Sequence, residues 1–234
     1  MKYSVVVPCY NEEKNIATLV KRFENVQESM KSEGFELVLV NNGSKDGTQQ
    51  EIEKAMQEHD YIRTVLVPVN QGYGYGFLQG LKACKGEYLG WIHADLQLPP
   101  EAFLDMAEKI TDQENIFLKG RRHNRPLMDR LFTFGMSCFE SLYLGERLWD
   151  INAQPTMIHR KFFESLSNPP YDFSLDLYFY YMAKKNGLEI ERVPVKQQER
   201  MEGESSWNNG MKARFKLVKR TLSFSKELKE KYRN

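Results

Sequence analysis

Apolar and polar residues in the first hundred positions switch repeatedly between two periods. Tyr3–Val7 is a β-branched run stopped by Pro8, the pattern of a buried strand. Asn11 then caps a polar segment in which Ile16, Leu19, Val20 and Phe23 recur at helical spacing. Phe35–Val40 repeats the strand pattern and ends in the turn cluster Asn41-Asn42-Gly43-Ser44, after which Asp46 caps a helix to about Glu58. Ile62–Val67 is a third strand, followed by Asn70-Gln71-Gly72 and a helix from about Tyr73 to Cys84. Glu87–Ile92 is a fourth strand, which breaks at His93-Ala94-Asp95-Leu96-Gln97, and Pro99-Pro100 opens another helix at its first turn. Strands alternating with helices at this spacing predict an α/β fold with a parallel sheet and helices on both faces.

That order predicts where chemistry gathers. Open α/β sheets bind ligands outside the carboxyl ends of their strands. Pro8–Glu12, Asn41–Gly47 and His93–Gln97 all fall there and are expected to converge on one crevice.

The second half is less regular. Ile116–Lys119 reads as a strand, Pro126–Leu144 as a long apolar helix and Ile151–His159 as extended. Phe173–Lys185 reads as an aromatic-rich helix, with Tyr178–Tyr181 mostly core, and Leu188–Val195 as a strand. In residues 209–234, Met211, Phe215, Val218 and Leu222 fall on one helical face, with Lys212, Lys216 and Lys219 on an adjacent one. Without repeats, low-complexity segments or an obvious linker, one domain over residues 1–234 is expected, in stretches 1–100, 101–208 and 209–234.

A chain of 234 residues, 41% of them hydrophobic, can bury a core without staples, which excludes disulfide mini-scaffolds, collagen-like repeats and disordered tails. Cys9, Cys84 and Cys138 form no Cys-x-x-Cys pair, so neither a zinc ribbon nor a thioredoxin motif is available, and buried reduced thiols in a cytosolic protein are expected. The apolar run before Pro8 is too short for a signal peptide, and no run approaches a membrane span. The net charge is +1, yet residues 209–234 carry +7, leaving −6 on the preceding 208. Two readings of that tail stand: attachment to an anionic membrane surface, or docking on the second half of the chain. No nucleic-acid partner is expected, because the body is acidic and has no aromatic platform in a basic setting.

Asn41–Thr48 is not a Walker loop, which ends Gly-Lys-Ser/Thr, and Gln71–Gly76 lacks the Rossmann spacing. Asp95 and Gln97 are alternate residues that face one way if the chain is extended. A carboxylate and an amide oxygen, completed by ligand oxygens and water, suit Mg²⁺ or Mn²⁺, although a strand-end aspartate taken alone reads first as a helix cap. Tyr73 and Tyr75 read as half-buried aromatics at a helix start rather than as a stacking platform. His123 and His159 lack metal spacing and read as structural.

Taken together, Val7-Pro8-Cys9-Tyr10-Asn11-Glu12, Val40 to Thr48, Asn70-Gln71-Gly72 and Ala94 to Glu101, in this order, resemble family 2 glycosyltransferases of the GT-A fold. Gly120-Arg121-Arg122, Trp149-Asp150, Arg160 and Glu199 to Ser206 are similar to the dolichol/polyprenyl-phosphate sugar synthase branch, and the resemblance covers about residues 3–207. It implies a mostly parallel Rossmann-like sheet with a nucleotide-sugar-binding half (1–100), an acceptor half (101–208) and a basic amphipathic C-terminal helix. Pro8, Tyr10 and Glu12 would hold the nucleoside, with Gly72 beside them and Asn42 at the base. Asp95 and Gln97 would bind Mg²⁺ or Mn²⁺, Arg200 the diphosphate, and Arg122 and Arg130 the acceptor phosphate. Asp95 and Arg200 are thus the implied catalytic residues, with Asp176 as base if the acceptor is a hydroxyl, or as a capping or solvated residue if not.

The implied reaction is inverting, metal-dependent transfer from a nucleotide-diphosphate sugar to a polyprenyl phosphate or to a glycan or lipid-linked glycan hydroxyl. Three stretches depart from the family pattern: Asn41-Asn42 stands for the usual Asp-Asp, His93 for the first Asp of Asp-Ala-Asp, and Asn152-Ala153-Gln154-Pro155 for a small glycine-containing stretch. An amide at position 42 can accept from uracil N3–H and donate to a flanking carbonyl, which favours UDP over GDP. The same departures leave open a catalytically weakened relative that binds nucleotide sugar as scaffold or sensor. A lipid acceptor would suit a cytoplasmic protein held peripherally at the inner face of a membrane.

Overall fold

The structure is a computed structural model and describes residues 1–110, 112–198 and 211–232. Its centre is β1 (Tyr3–Cys9), a run of valines with no exposed face. Parallel neighbours flank it: β2 (Phe35–Asn42) on one side and β4 (Tyr88–Trp91) on the other, with Val6 opposite Val38 and Trp91. β3 (Ile62–Val67) extends the sheet beyond β2. Beyond β4 come β6 (Thr156–His159), β5 (Ile116–His123) and β7 (Glu189–Lys196), giving the order β3-β2-β1-β4-β6-β5-β7. One seven-stranded sheet therefore runs through both halves, and only β6 opposes its neighbours in direction.

Strand alternation sorts the core into two layers. Val5, Val7, Leu37 and Leu39 meet α1 (Glu13–Met30), α2 (Thr48–Glu58) and α4 (Ala102–Lys109) through Ile16, Leu19, Phe23, Ile52 and Phe103. Val6, Val38 and Val40 meet α3 (Tyr73–Ala83) and α7 (Leu175–Lys185) on the opposite face, through Phe77, Leu81, Tyr178 and Phe179. A Cβ on Gly80 would lie 2.3 Å from the Val6 side chain, so a glycine lets α3 sit close on the sheet. Tyr178–Tyr181 are core, as expected.

The second half differs from its pattern in several places. β5 continues four residues past Lys119, and the segment expected to be extended from Ile151 pairs only from Thr156. A short α6 (Arg160–Ser165) follows β6 without having been anticipated.

The larger surprise is α5 (Leu127–Leu144). Its buried residues are Ser137, Glu140 and Leu144, whereas Met128 (67% exposed), Leu131 (55%) and Leu142 (86%) face outward. The polar interruption at Glu140 is thus the inner face of the helix. Glu140 accepts a 2.6 Å bond from Ser225 of α8 (Met211–Lys231), and burial raises its carboxyl above the usual range. Leu228 of α8 is buried and Phe224 packs beside it, so this helix docks on the second half of the chain, against α5 and α7. Among the described residues no helix is long and apolar enough to cross a membrane.

Candidate functional site

The ends of β1 and β2 are laced together. Asn11 adopts a left-handed conformation (φ 57°), its N–H donates to Ser44 Oγ (3.0 Å), and its Oδ1 accepts from the Lys45 N–H (2.8 Å). Asn11 therefore ties two loops rather than capping α1, which starts two residues later. Glu12 N–H donates to Thr48 Oγ1 (2.9 Å), and Gly47 N–H to Glu13 Oε2 (3.0 Å). Asp46 Oδ1 accepts from the Thr48 N–H at 3.1 Å, but the N-cap position of α2 is Gly47, so Asp46 stands one residue before the cap expected of it. On this rim Pro8 and Glu12 are half-buried and Tyr10 is exposed; Glu12 accepts from Asn15 Nδ2 (2.6 Å).

The two asparagines at the end of β2 have different partners. Asn41 builds the turn: its Oδ1 accepts from the Ser44 N–H (3.0 Å) and its Nδ2 donates to Gln49 Oε1 (2.8 Å). Asn42 is buried and donates through Nδ2 to the Gly72 carbonyl (3.0 Å), while its Oδ1 is buried with no partner. Gly72 has φ 105°, and a Cβ there would meet the Tyr171 carbonyl at 2.8 Å, so the position requires glycine.

After β4, burial alternates: His93, Asp95 and Gln97 are half-buried, while Ala94, Leu96 and Leu98 are buried. The backbone is not extended, however. Leu96 has φ 57° and the Gln97 N–H donates to Asp95 Oδ1 at 3.2 Å, making a tight turn in which Asp95 also serves locally as an acceptor. Among the described residues no group of three or more His, Cys, Asp or Glu side chains gathers to cage an ion. One carboxylate with a neighbouring amide is the donor set of a hard divalent ion that takes its remaining oxygens from ligand and water, so Asp95 and Gln97 fit that use.

Behind this rim lies a buried polar chain. Asp176, 4% exposed, accepts from the Tyr73 hydroxyl (2.8 Å) and the Trp91 indole N–H (3.4 Å). The Tyr73 hydroxyl in turn accepts from Gln154 Nε2 (2.6 Å). Burial first, and then the Asp176 carboxylate, push the Tyr73 phenol well above its ordinary value. The Tyr73 ring stacks on Phe173 (centroids 4.3 Å apart) and tilts against His93 (5.3 Å). Lys119, fully buried on β5, donates to the Ala153 carbonyl (2.7 Å), and burial lowers its amine to about 7.

On the other side of the 150–155 turn is an arginine cluster around one acid. Arg122 bonds Asp150 through Nε (3.2 and 3.3 Å) and more closely through Nη2, and Arg125 (3.8 Å) and Arg192 (3.9 Å) complete the ring. Burial pushes the Asp150 carboxyl up, but the Arg122 bonds and the three guanidinium charges outweigh it and hold it below its ordinary value. Three cations against one anion leave an excess of positive charge. A pocket of about 680 Å³ opens here, lined by Arg121, Arg122, Arg125, Arg130, Phe134 and Trp149 among others.

Of the three stretches expected to converge, Pro8–Glu12 and Asn41–Gly47 are joined by hydrogen bonds, and His93–Gln97 approaches the start of α3 through the ring contact of His93 with Tyr73. Arg122 and Arg130 share one pocket. Arg200 lies outside the described residues. Sequence reasoning missed Tyr73 and Gln154 as a pair, Lys119, Arg125 and Arg192. The Arg121-Arg122-x-x-Arg125 spacing at a strand end was the available signal for the cluster.

The family model described as Glycosyl transferase family 2 matches residues 4–174. The chain is 31% identical over 123 residues to dolichol-phosphate mannosyltransferase of Saccharomyces cerevisiae, covering 53% of this chain and 45% of that one. It is 33% identical over 112 residues to undecaprenyl-phosphate 4-deoxy-4-formamido-L-arabinose transferase of Salmonella choleraesuis, covering 47% and 34%. The chain thus spans less than half the length of these curated relatives. Its fold is similar to glucosyl-3-phosphoglycerate synthase of Mycobacterium tuberculosis, solved with Mn²⁺, UDP and glucosyl-3-phosphoglycerate: TM-score 0.73, 20% identity, covering 96% of this chain and 79% of that one. A likeness also extends to Staphylococcus aureus TarS (TM-score 0.63, 20% identity, covering 85% and 60%).

Proposed function

The chain belongs to glycosyl transferase family 2, and on that premise we propose that it moves a sugar, with inversion, from a nucleotide-diphosphate sugar to a polyprenyl phosphate. The observation that carries the choice of acceptor is the arginine-lined pocket beside the outward apolar face of α5. An anionic head with a hydrocarbon tail matches that pairing of surfaces. Both curated relatives compared above are named for polyprenyl-type phosphates, which supports the same reading.

In the proposed reaction an oxygen of the acceptor phosphate attacks the anomeric carbon from the side opposite the diphosphate. The new C–O bond forms as the bond to the diphosphate oxygen breaks, and the nucleoside diphosphate leaves. A phosphate is already anionic and needs no general base. The sequestered Asp176 agrees: with both oxygens engaged by Tyr73 and Trp91, it serves to hold the 73–91 region together. Arg122, Arg125 and Arg130 orient the acceptor phosphate, since fixed guanidinium forks match phosphate oxygens.

On the donor side, Pro8, Tyr10 and Glu12 hold the nucleoside, and Asn42 with Gly72 forms the floor for the base. The unpartnered Asn42 Oδ1 supports a uracil, whose N3–H is a donor. Asp95 and Gln97 would hold a Mg²⁺ or Mn²⁺ ion, which would supply Lewis-acid stabilisation of the leaving diphosphate. Arg200 is assigned to the diphosphate by the family pattern.

The membrane partner is assigned to α5 rather than to the tail. Met128, Leu131, Phe132, Phe139 and Leu142 follow helical spacing on the side away from Ser137, Glu140 and Leu144. An outward apolar stripe with arginines at its end is the arrangement of a helix lying in an anionic interface. Donor sugars offered with polyprenyl phosphate test the whole reading: a glycosylated lipid phosphate, lost in Arg125→Ala, is expected. Nucleotide binding without turnover on any lipid would favour the scaffold or sensor alternative.

A further inference from the structure

Among the described residues, helix α8 packs against α5 and, through Phe224, against Tyr178 of α7. It also meets the loop at 170–173, which reaches the donor rim. Arg220 Nε lies 3.2 Å from Asp172 Oδ2, and its guanidinium sits 5.3 Å over the Phe173 ring. Phe173 stacks on Tyr73, the first residue of α3. The same loop grips the turn before α3 through its backbone. Tyr75 N–H donates to the Tyr171 carbonyl at 3.1 Å, and that carbonyl leaves room only for a glycine at position 72. A Cβ on Gly74 would meet the Pro170 carbonyl at 2.7 Å. Gly72 then receives the Asn42 amide at 3.0 Å. The contacts run without a break from α8 to Asn42. A cavity of about 470 Å³ lies between the two walls, lined by Gln71, Gly72, Tyr171, Arg220, Phe224 and Glu227 among others.

We infer that α8 braces the donor rim and that Arg220 is a positioning residue for nucleotide binding. This rests on the assignment of Asn42 and Gly72 to the nucleotide. Loop 170–173 has no strand to hold it; Asp172 turns it into α7 through the Ser174 N–H (2.8 Å), and beyond that turn it is held by α3 on one side and by Arg220 on the other. Removing the guanidinium frees Phe173 to leave Tyr73, and the Gly72 carbonyl loses its fixed distance to Asn42. The acceptor pocket, built from β5, α5 and the 149–150 turn, shares none of these contacts.

The test is calorimetric titration of the full chain with UDP and Mn²⁺, alongside donor and acceptor KM values. Arg220→Ala is expected to weaken nucleotide binding by about 3- to 10-fold, the combined scale of a cation–π contact and a partly exposed ion pair. Donor KM should rise in step, with acceptor KM unchanged. Arg220→Lys, which keeps a cation over the ring, should recover part of the loss. Ser225→Ala loosens the same helix at its α5 end and should lower Tm with less than about a twofold change in affinity, because its partner Glu140 is remote from the loop. If Arg220→Ala does not fold, Asp172→Asn removes the ion pair alone and takes its place. A fall in Tm with unchanged affinity, or equal weakening by Ser225→Ala, overturns the inference. Wild-type protein that binds no UDP overturns instead the assignment of the nucleotide site.

Discussion

Helices α1 and α5 are both eighteen residues long, and both carry an apolar stripe at helical spacing. In α1 the stripe Ile16, Leu19, Val20, Phe23, Val26 and Met30 is buried against the sheet. In α5 the stripe Met128, Leu131, Phe132, Phe139 and Leu142 faces out, and Ser137 and Glu140 lie inside. The period is the same; the environment is reversed. A helical pattern states which residues share a face, and says nothing about what medium that face meets. In the donor half the medium is protein. In the second half the proposed medium is lipid, and the arginine pocket at the helix's end is the proposed seat of the reacting phosphate.

The largest expected effect isolates the donor half's chemistry. Asp95→Ala should reduce transfer by about 10³-fold or more, the several kcal/mol that a metal-held leaving group represents, while Tm stays near wild type. Retained activity in a metal-dependent assay would remove Asp95 from the site.

Next comes the direct contrast between the helices. Phe23→Ala deletes a fully buried ring and should cost about 3–5 kcal/mol in denaturant unfolding. Phe139→Ser together with Leu142→Glu should change stability by less than about 0.5 kcal/mol per site, yet abolish flotation with anionic vesicles. Equal stability losses in both helices would show that the α5 stripe is covered by protein, and a shift to dimer in sedimentation would identify that protein as a second copy.

A smaller effect probes the seam between the halves. The Lys119 amine is lowered to about 7 from an ordinary 10.5. Below about pH 7 folded and unfolded chains both hold the proton and the difference is flat. Between there and about 10.4 only the unfolded chain holds it, so stability should rise with pH, by at most about 1.4 kcal/mol per unit. Lys119→Met should lose that rise. A wild-type profile parallel to the variant's would mean that Lys119 stays charged.

The smallest effect concerns Asp176. With a phosphate acceptor, Asp176→Asn should lower kcat by less than about tenfold, whereas loss of a general base costs about 10² to 10⁴.

The donor half was legible because each of its signals is local. Val5–Val7, the Asn41–Ser44 turn and the Tyr73 helix start each declare themselves within a few residues, and strand order does the rest. Asn11 was misread because its partner Lys45 lies 34 positions away, so a loop staple looked like a cap. The acceptor half depends on distant pairs of this kind throughout. Asp150 gathers Arg122, Arg125 and Arg192 from two strands and a loop, and Gln154 reaches Tyr73 across 81 positions. The tail was legible as a helix, but its seat on Glu140 required knowing that α5 turns a carboxyl inward.

The acceptor is the centre of this account. The most direct measurement is the initial rate of sugar transfer to a polyprenyl phosphate and to the matching free polyprenol, with wild-type chain and with Asp176→Asn. Product is expected from the phosphate alone, with Asp176→Asn still active. Transfer to the alcohol or a glycan hydroxyl that disappears in Asp176→Asn would contradict it, making Asp176 a base and the arginine pocket something other than the acceptor site.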